Sequence, residues 1–161
     1  MVDSSASSAG GCLCGGVRYE VRGSLFDPHY CHCRACQKAS GAPVIAGAFL
    51  AKDALQIIHG EPKFYQSSTI VERGFCADCG TYLIYRPLIP EWSDWIIITI
   101  ASLDHPEAMP PKRHYGTESQ LPWFNTQDDF PRERYEDDFI EILSDPDHTE
   151  RTAVLARYGS E

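Results

Sequence analysis

Seven cysteines stand in three short clusters, and they are the residues of this 161-residue chain most suited to chemistry. The clusters are C-x-C at Cys12 and Cys14, C-x-C-x-x-C at Cys31, Cys33 and Cys36, and C-x-x-C at Cys76 and Cys79. An odd number of cysteines fits a disulfide framework poorly, whereas closely spaced cysteines are typical of metal sites. The spacing therefore predicts bound metal.

The first and third clusters together supply four thiolates. If Cys12 and Cys14 lie on a strand, both sulfurs point to the same face. Gly80 permits the tight turn that brings Cys76 and Cys79 together. Four thiolates in a tetrahedron are the closed, structural form of a zinc site. Because 61 residues separate Cys14 from Cys76, such an ion would fasten the first strand to a later hairpin. The alternative is two unrelated pairs of buried cysteines.

The middle cluster supplies three thiolates, from Cys31, Cys33 and Cys36. Three protein ligands with one further position open are the arrangement of a catalytic zinc. The sequence therefore predicts a second zinc ion per chain, with these three cysteines as the catalytic residues. His32 is an alternative fourth ligand, but in an extended segment it points away from its neighbours. That placement favours a role beside the metal or in surface packing.

Other interpretations of the middle cluster stay open at this stage. The three cysteines could be reduced thiols without metal. They could also form a redox cluster, because Arg34 and Lys38 would lower the thiol pKa values. As part of an active site, the same two cations could attract a carboxylate of an anionic thiol, and His114 and Trp123 could line the pocket. For each of these four residues an ordinary packing or surface role is the alternative.

Composition excludes several classes of protein. The chain is 43% hydrophobic and 23% charged, which is typical of one globular domain. Its net charge of -9, without a basic stripe, argues against nucleic acid as a partner. The longest apolar run, residues 95–101, is far shorter than the roughly 20 residues of a membrane helix. The N-terminal residues do not resemble a secretory signal, so we expect a cytoplasmic protein that binds no membrane.

Hydrophobic patterning predicts a mainly β fold with little helix. A short helix over residues 33–40 should end at Gly41, and another could lie at 149–158. Residues 103–131 contain five prolines, so they should form irregular chain packed on the sheet surface. The predicted strands cover residues 17–22, 43–50, 55–59, 63–67, 70–75, 81–86 and 94–101. The strand at 94–101 should be central, and those at 70–75 and 81–86 should form a hairpin.

The cysteine motifs resemble those of a known family, the glutathione-dependent formaldehyde-activating enzymes, which share a domain with centromere protein V. The resemblance covers about residues 10–131 and rests on three ordered motifs. These are GCLCGGVRY at 11–19, CHCRACQKASG at 31–41 and FCADCGT at 75–81. A weaker later signature follows at residues 102–107, His114 and residues 122–124.

The resemblance implies an Mss4-like (β-tent) zinc-binding fold, with a structural and a catalytic zinc on the cysteine sets given above. It also implies carbon–sulfur lyase chemistry, in which the bond between a thiol such as glutathione and formaldehyde is made or broken. We therefore expect a disordered tail at 1–9, the zinc-binding domain at 10–135 and an acidic extension at 136–161. The alternative function is a zinc-stabilised binding module without catalysis, the role that Mss4-like relatives suggest.

Overall fold

The computed structural model describes residues 8–68 and 70–134. In this part of the chain two compact units are present. The first unit combines the residues up to Pro28 with Ala46–Pro111, and the second combines His29–Ile45 with the residues from Lys112 onward. The predicted acidic extension at 136–161, with its helix at 149–158, lies outside the described residues, as does most of the predicted tail at 1–9.

The mainly β fold is confirmed. One α-helix, α1 (Arg34–Ser40), and five short 3-10 segments are found among the described residues. The 3-10 segments are Lys52–Ala54, Pro90–Trp92, Ile100–Ser102, Pro106–Ala108 and Thr117–Ser119. The strands are β1 (Ser8–Gly11), β2 (Arg18–Val21), β3 (Phe26–Cys31), β4 (Ile45–Ala51), β5 (Leu55–His59), β6 (Lys63–Gln66), β7 (Val71–Phe75), β8 (Tyr82–Pro87), β9 (Trp95–Thr99), β10 (His114–Tyr115) and β11 (Arg132–Glu133).

The first unit contains two antiparallel arrays of strands. One has the order β1-β2-β5 and the other β4-β9-β8-β7-β6. The isoleucine-rich strand β9 lies between β4 and β8, as its composition predicts, and β7 and β8 form the predicted hairpin. Tyr19, Leu50, Leu83 and Ile98 are fully buried in the core of this unit. Burial of each such side chain contributes roughly 1.5–3 kcal/mol, so this core can hold its strands in place.

All seven predicted strands and the helix ending at Gly41 are present, with ends shifted by two residues or fewer. β1 and β3 are not among the predicted strands, and β1 places Ser8 and Ala9, expected in the tail, in a strand paired with β2. The prediction that residues 103–131 are irregular throughout is also wrong, because β10 lies among them. In the second unit β10 pairs in parallel with β3 and with β11. Two-residue strands are too short to produce a periodic pattern, which is why the sequence does not reveal them.

Within residues 8–68 and 70–134, no helix has both the length and the apolar character needed to cross a bilayer.

Candidate metal centres

Cys12, Cys14, Cys76 and Cys79, here called the four-thiol cluster, converge in the first unit. Their four sulfurs all lie within 4.8 Å of one another. The Sγ–Sγ distance is 3.5 Å between Cys12 and Cys14 and 3.7 Å between Cys14 and Cys76. A tetrahedron with metal–sulfur bonds of about 2.3 Å has sulfur–sulfur edges of about 3.8 Å, whereas a disulfide bond is about 2.05 Å long. The cluster therefore consists of free thiols that can hold a metal ion.

The first pair of thiols lies in a turn and not on a strand. Cys12 and Cys14 follow β1, and the Gly15 N–H donates to the Cys12 carbonyl at 3.1 Å. Gly15 has a φ of 77°, which explains why the chain can turn back here into β2. The prediction that the two sulfurs meet is confirmed, but its basis in strand alternation is wrong. Backbone N–H groups of Val17 and Gly16 point at the Cys12 and Cys14 sulfurs, at 3.1 and 3.4 Å.

The second pair lies in the turn between β7 and β8, as predicted. Gly80 has a φ of 74°, and its N–H donates to the Cys76 carbonyl at 2.9 Å. The Thr81 hydroxyl accepts from the Leu13 N–H at 3.0 Å and lies 3.1 Å from the Cys79 sulfur. It therefore joins the two turns. Hydrogen bonding from Thr81 lowers the pKa of Cys79 to about 5, which favours the thiolate that a metal requires.

Cys31, Cys33 and Cys36, here called the three-thiol cluster, converge in the second unit. Their sulfurs also lie within 4.8 Å of one another, with Cys31 3.5 Å from Cys33 and 3.1 Å from Cys36. Cys31 ends β3 and Cys33 is the N-cap of α1, where its sulfur accepts from the Cys36 N–H at 3.4 Å. Among the described residues, no fourth Cys, His, Asp or Glu joins this group. The alternative of His32 as a ligand is thus not part of the observed geometry.

The three thiols of this cluster lie so close together that they can all be ionised only beside a cation. Its thiols are close together and largely buried, and no acidic residue stands in the first turn of α1. The Cys33 thiol, then the Cys36 thiol and burial, raise the pKa of Cys31 well above its ordinary value. Three thiolates at this distance repel one another unless a cation compensates them. The cluster is therefore suited to a metal ion, whose binding deprotonates thiol ligands.

His32 is fully buried, which makes the expected surface-packing role wrong. Its Nε2 lies 2.7 Å from Nδ1 of His114, which is also fully buried. His114 Nε2 in turn lies 3.0 and 3.2 Å from the two carboxylate oxygens of Asp128. Burial, followed by the nearby His114, lowers the pKa of His32 to about 4, so its ring is neutral at pH 7. Hydrogen bonding from Thr126 lowers the pKa of Asp128 to about 2.

The other predicted site residues are less closely tied to the thiols. Arg34 and Lys38 are exposed on α1, and the Arg34 guanidinium donates to the Gln37 side chain. Trp123 is 72% exposed, with its ring 6.5 Å from that of Phe124. An open cavity of about 660 Å³ has Phe124 and Asp128 in its lining. Phe124 also packs near the His32 ring, at 6.3 Å between ring centres.

Several residues contact the cysteine thiols or the segments that carry them without being ligands, and they are not among the predicted site residues. Thr81, Gln37 and Asp128 belong to this group, together with the backbone of Tyr115. Thr81 directly follows the C-x-x-C-G motif, so its position beside the thiols could have been inferred from spacing. Nothing in the sequence around Asp128 indicates that it contacts His114, 14 residues earlier.

A known protein family matches most of this sequence. The sequence profile of the family described as "Glutathione-dependent formaldehyde-activating enzyme" matches residues 7–119, more than half of the chain. The chain belongs to this family. The family match includes both cysteine clusters and ends before Asp128. At family level this supports a formaldehyde-activating, thiol-adduct function with glutathione and formaldehyde as small-molecule substrates.

The chain is also similar to one solved structure, the crystal structure of a Rhodobacter sphaeroides protein determined as a structural genomics target. Its sequence is 22% identical, the alignment covers 78% of this chain and 98% of that chain, and the TM-score is 0.47.

Proposed function

We propose that this member of the formaldehyde-activating family is a zinc-dependent carbon–sulfur lyase that makes or breaks an S-hydroxymethyl thiol. Glutathione is the proposed thiol and formaldehyde the proposed aldehyde. The observation that carries the proposal is the convergence of three thiols, two of them buried, in one cluster that no fourth described Cys, His, Asp or Glu joins. In a family of this activity, such a cluster is the natural place for the reacting thiol.

The four-thiol cluster is proposed as a structural zinc site. Four thiolates complete a tetrahedral zinc, so the site has no position left for substrate. Its backbone and hydroxyl hydrogen bonds, from Val17, Gly16 and Thr81, support ligands and not a reaction. We propose an Mss4-like fold for the chain as well. With a second zinc ion at the three-thiol cluster, the proposed content is two zinc ions per chain.

The three-thiol cluster is proposed as the catalytic zinc site. Cys31, Cys33 and Cys36 would hold the ion, and three thiolates with Zn²⁺ would carry one net negative charge. A zinc ion would favour the thiolate form of a substrate thiol. The thiolate sulfur would add to the carbon of formaldehyde while the carbonyl oxygen takes up the proton that the thiol lost, and cleavage would be the reverse. The exposed cations Arg34 and Lys38 on the adjacent helix attract the carboxylates of glutathione.

Cobalt substitution tests the binding step. Wild-type protein should bind two Co²⁺ ions, and added glutathione should change the thiolate-to-cobalt charge-transfer bands while releasing a proton. The apparent affinity for glutathione should therefore rise with pH until the bound thiol is fully deprotonated. A double variant, Cys31→Ser with Cys36→Ser, keeps the four-thiol cluster and is the matched control, since its cobalt bands should not respond. Wild-type bands that ignore every small thiol would contradict the proposal.

Exchange NMR tests the chemical step. Glutathione and ¹³C-formaldehyde form their adduct spontaneously, so catalysis should appear as faster exchange between the free and adduct ¹³C signals at equal concentrations. The zinc-loaded wild type should accelerate this exchange and the double variant should not. Thiol binding without faster exchange would favour the binding-module alternative.

A further inference from the structure

His32 is held by hydrogen bonds at both its backbone and its ring. Its N–H donates to the Tyr115 carbonyl at 2.9 Å, and its carbonyl accepts from the Gln37 side-chain amide at 2.7 Å. The same amide of Gln37, itself buried, donates to the Ser119 carbonyl at 3.0 Å. Because His32 stands between Cys31 and Cys33, any movement of this residue also moves two of the three thiols.

The ring of His32 is connected through His114 to the carboxylate of Asp128. Asp128 accepts hydrogen bonds but cannot donate them when ionised, so His114 Nε2 carries a proton. With that proton at Nε2, the lone pair at His114 Nδ1 is placed to accept from His32 Nε2–H, 2.7 Å away between the nitrogens. The rings also stack, with centres 5.0 Å apart. Asp128 thus determines which nitrogen of each histidine is protonated, and with it the orientation of both rings.

Asp128 is itself fixed in place. Its carboxylate accepts from the Phe130 N–H at 3.1 Å and lies 3.3 Å from the Arg132 guanidinium. The Asp128 side chain is 18% exposed, whereas both histidine rings are fully buried. The connection therefore runs from a residue near the surface to the interior segment that carries Cys31 and Cys33.

His32 Nδ1 provides a second observation. Within the described part of the chain it is a buried side-chain nitrogen without a hydrogen-bond partner. A buried unpaired polar atom is unfavourable, so for packing alone an apolar ring of similar size would be more stable at this position. The pair His32–His114 is thus better explained by the orientation that it imposes than by burial.

We infer that Asp128 is a positioning residue for the three-thiol cluster and that it acts through His114 and His32. This inference rests on the proposed metal-binding function of that cluster. Removal of the carboxylate frees His114 to change its protonated nitrogen, and the His32 ring then loses its fixed partner. The segment between Cys31 and Cys33 becomes less ordered, and the three sulfurs fit a metal ion less well.

The test compares Asp128→Asn with Asp129→Asn, which removes a neighbouring exposed carboxylate that has no hydrogen bond to His114. Both variants are titrated with Co²⁺ in competition with a chelator. The weaker of the two cobalt affinities should fall about 10- to 100-fold in Asp128→Asn, the range typical of groups that orient metal ligands. The cobalt absorption bands of the weaker site should shift in Asp128→Asn. The cobalt affinity of the tighter site and the melting temperature should stay close to wild type. Asp129→Asn should match wild type in all four quantities.

Side-chain ¹⁵N NMR of the wild type supplies a readout that does not depend on either variant. It should show that His32 and His114 are both protonated at Nε2 and unprotonated at Nδ1. A His32 ring protonated at Nδ1 overturns the inference, and so does equal cobalt affinity in Asp128→Asn and wild type. If the wild type binds a single cobalt ion, the proposed function fails as well. Two cobalt ions bound equally tightly by wild type and Asp128→Asn would overturn only the role of Asp128.

Discussion

The two cysteine clusters use the same ligand chemistry but are assembled in different ways. The four-thiol cluster joins two turns that are 61 residues apart in sequence, and each turn depends on a glycine with positive φ. The three-thiol cluster lies within six consecutive residues at the junction of β3 and α1. Backbone N–H groups and Thr81 support the first cluster, whereas buried imidazoles support the second. The difference is consistent with the two roles proposed above, a structural site for the four-thiol cluster and a catalytic site for the three-thiol cluster.

The largest expected effect is on folding. Cys76→Ser removes a buried ligand of the four-thiol cluster, and structural zinc binding contributes on the order of 10 kcal/mol to folding. Because whole domains are stable by about 5–15 kcal/mol, this variant should be largely unfolded or melt far below the wild type. Thermal unfolding followed by circular dichroism, at equal zinc concentration, measures the effect.

Cys33→Ser is the matched substitution in the other cluster. Serine is a favoured N-cap, so the new hydroxyl can still accept from the Cys36 N–H, and the loss of stability should be below about 2 kcal/mol. The cobalt response to glutathione should nevertheless disappear, because two thiols are left to hold the ion. Equal melting temperatures for Cys33→Ser and Cys76→Ser would remove the distinction between a structural and a catalytic cluster.

Substitution of a glycine beside each cysteine cluster should have a smaller effect than loss of a thiol. Gly80 and Gly41 have φ values of 74° and 68°, and a Cβ at either position would meet no atom within 4 Å. Alanine at either site should therefore cost about 1–2 kcal/mol through backbone strain alone. Gly80→Ala should also weaken the tighter cobalt site, whereas Gly41→Ala, at the end of α1, should leave that site unchanged. Urea unfolding and cobalt titration of both variants separate the two effects.

The smallest effect concerns an ion pair in the first unit. Arg18 donates two hydrogen bonds to Asp104, at 2.8 and 2.5 Å, and lowers the pKa of that carboxyl. Since the folded-state pKa is depressed, the pair stabilises the protein fully above the ordinary pKa of about 3.9, and the effect is lost as the pH falls below it. Both side chains are a third or more exposed, so Asp104→Asn should cost less than about 1 kcal/mol.

Urea unfolding at several pH values measures this contribution. The stability difference between wild type and Asp104→Asn should be constant from about pH 7 to pH 5 and shrink below about pH 4. Acid also protonates the metal-binding thiols of both proteins, so the difference between them is the quantity to compare. A difference that grows toward acid pH would show that the pair does not stabilise the folded state.

The ligands themselves could be predicted from the sequence because their spacing is local. Cys76, Cys79 and Gly80 follow one another closely, and the pattern predicts the turn that the structure contains. The strand β9 could be predicted because β-branched isoleucine is favoured in strands, and Ile96 and Ile98 are buried on its inner face. The Asp128–His114 contact and the short strands β10 and β11 could not be predicted. They depend on contacts between segments that are distant in sequence. Hydrophobic periodicity and turn residues predict local structure and do not predict such contacts.

The short span of the three-thiol cluster has a consequence for the order in which metal is acquired. Six consecutive residues can bind an ion before the chain has folded, whereas the four-thiol cluster must first close a loop of 61 residues. Closing such a loop costs on the order of 4 kcal/mol in chain entropy. An ion that also binds the unfolded chain stabilises the native state less, by mass action. The nascent protein should therefore bind metal first at the three-thiol cluster and last at the four-thiol cluster.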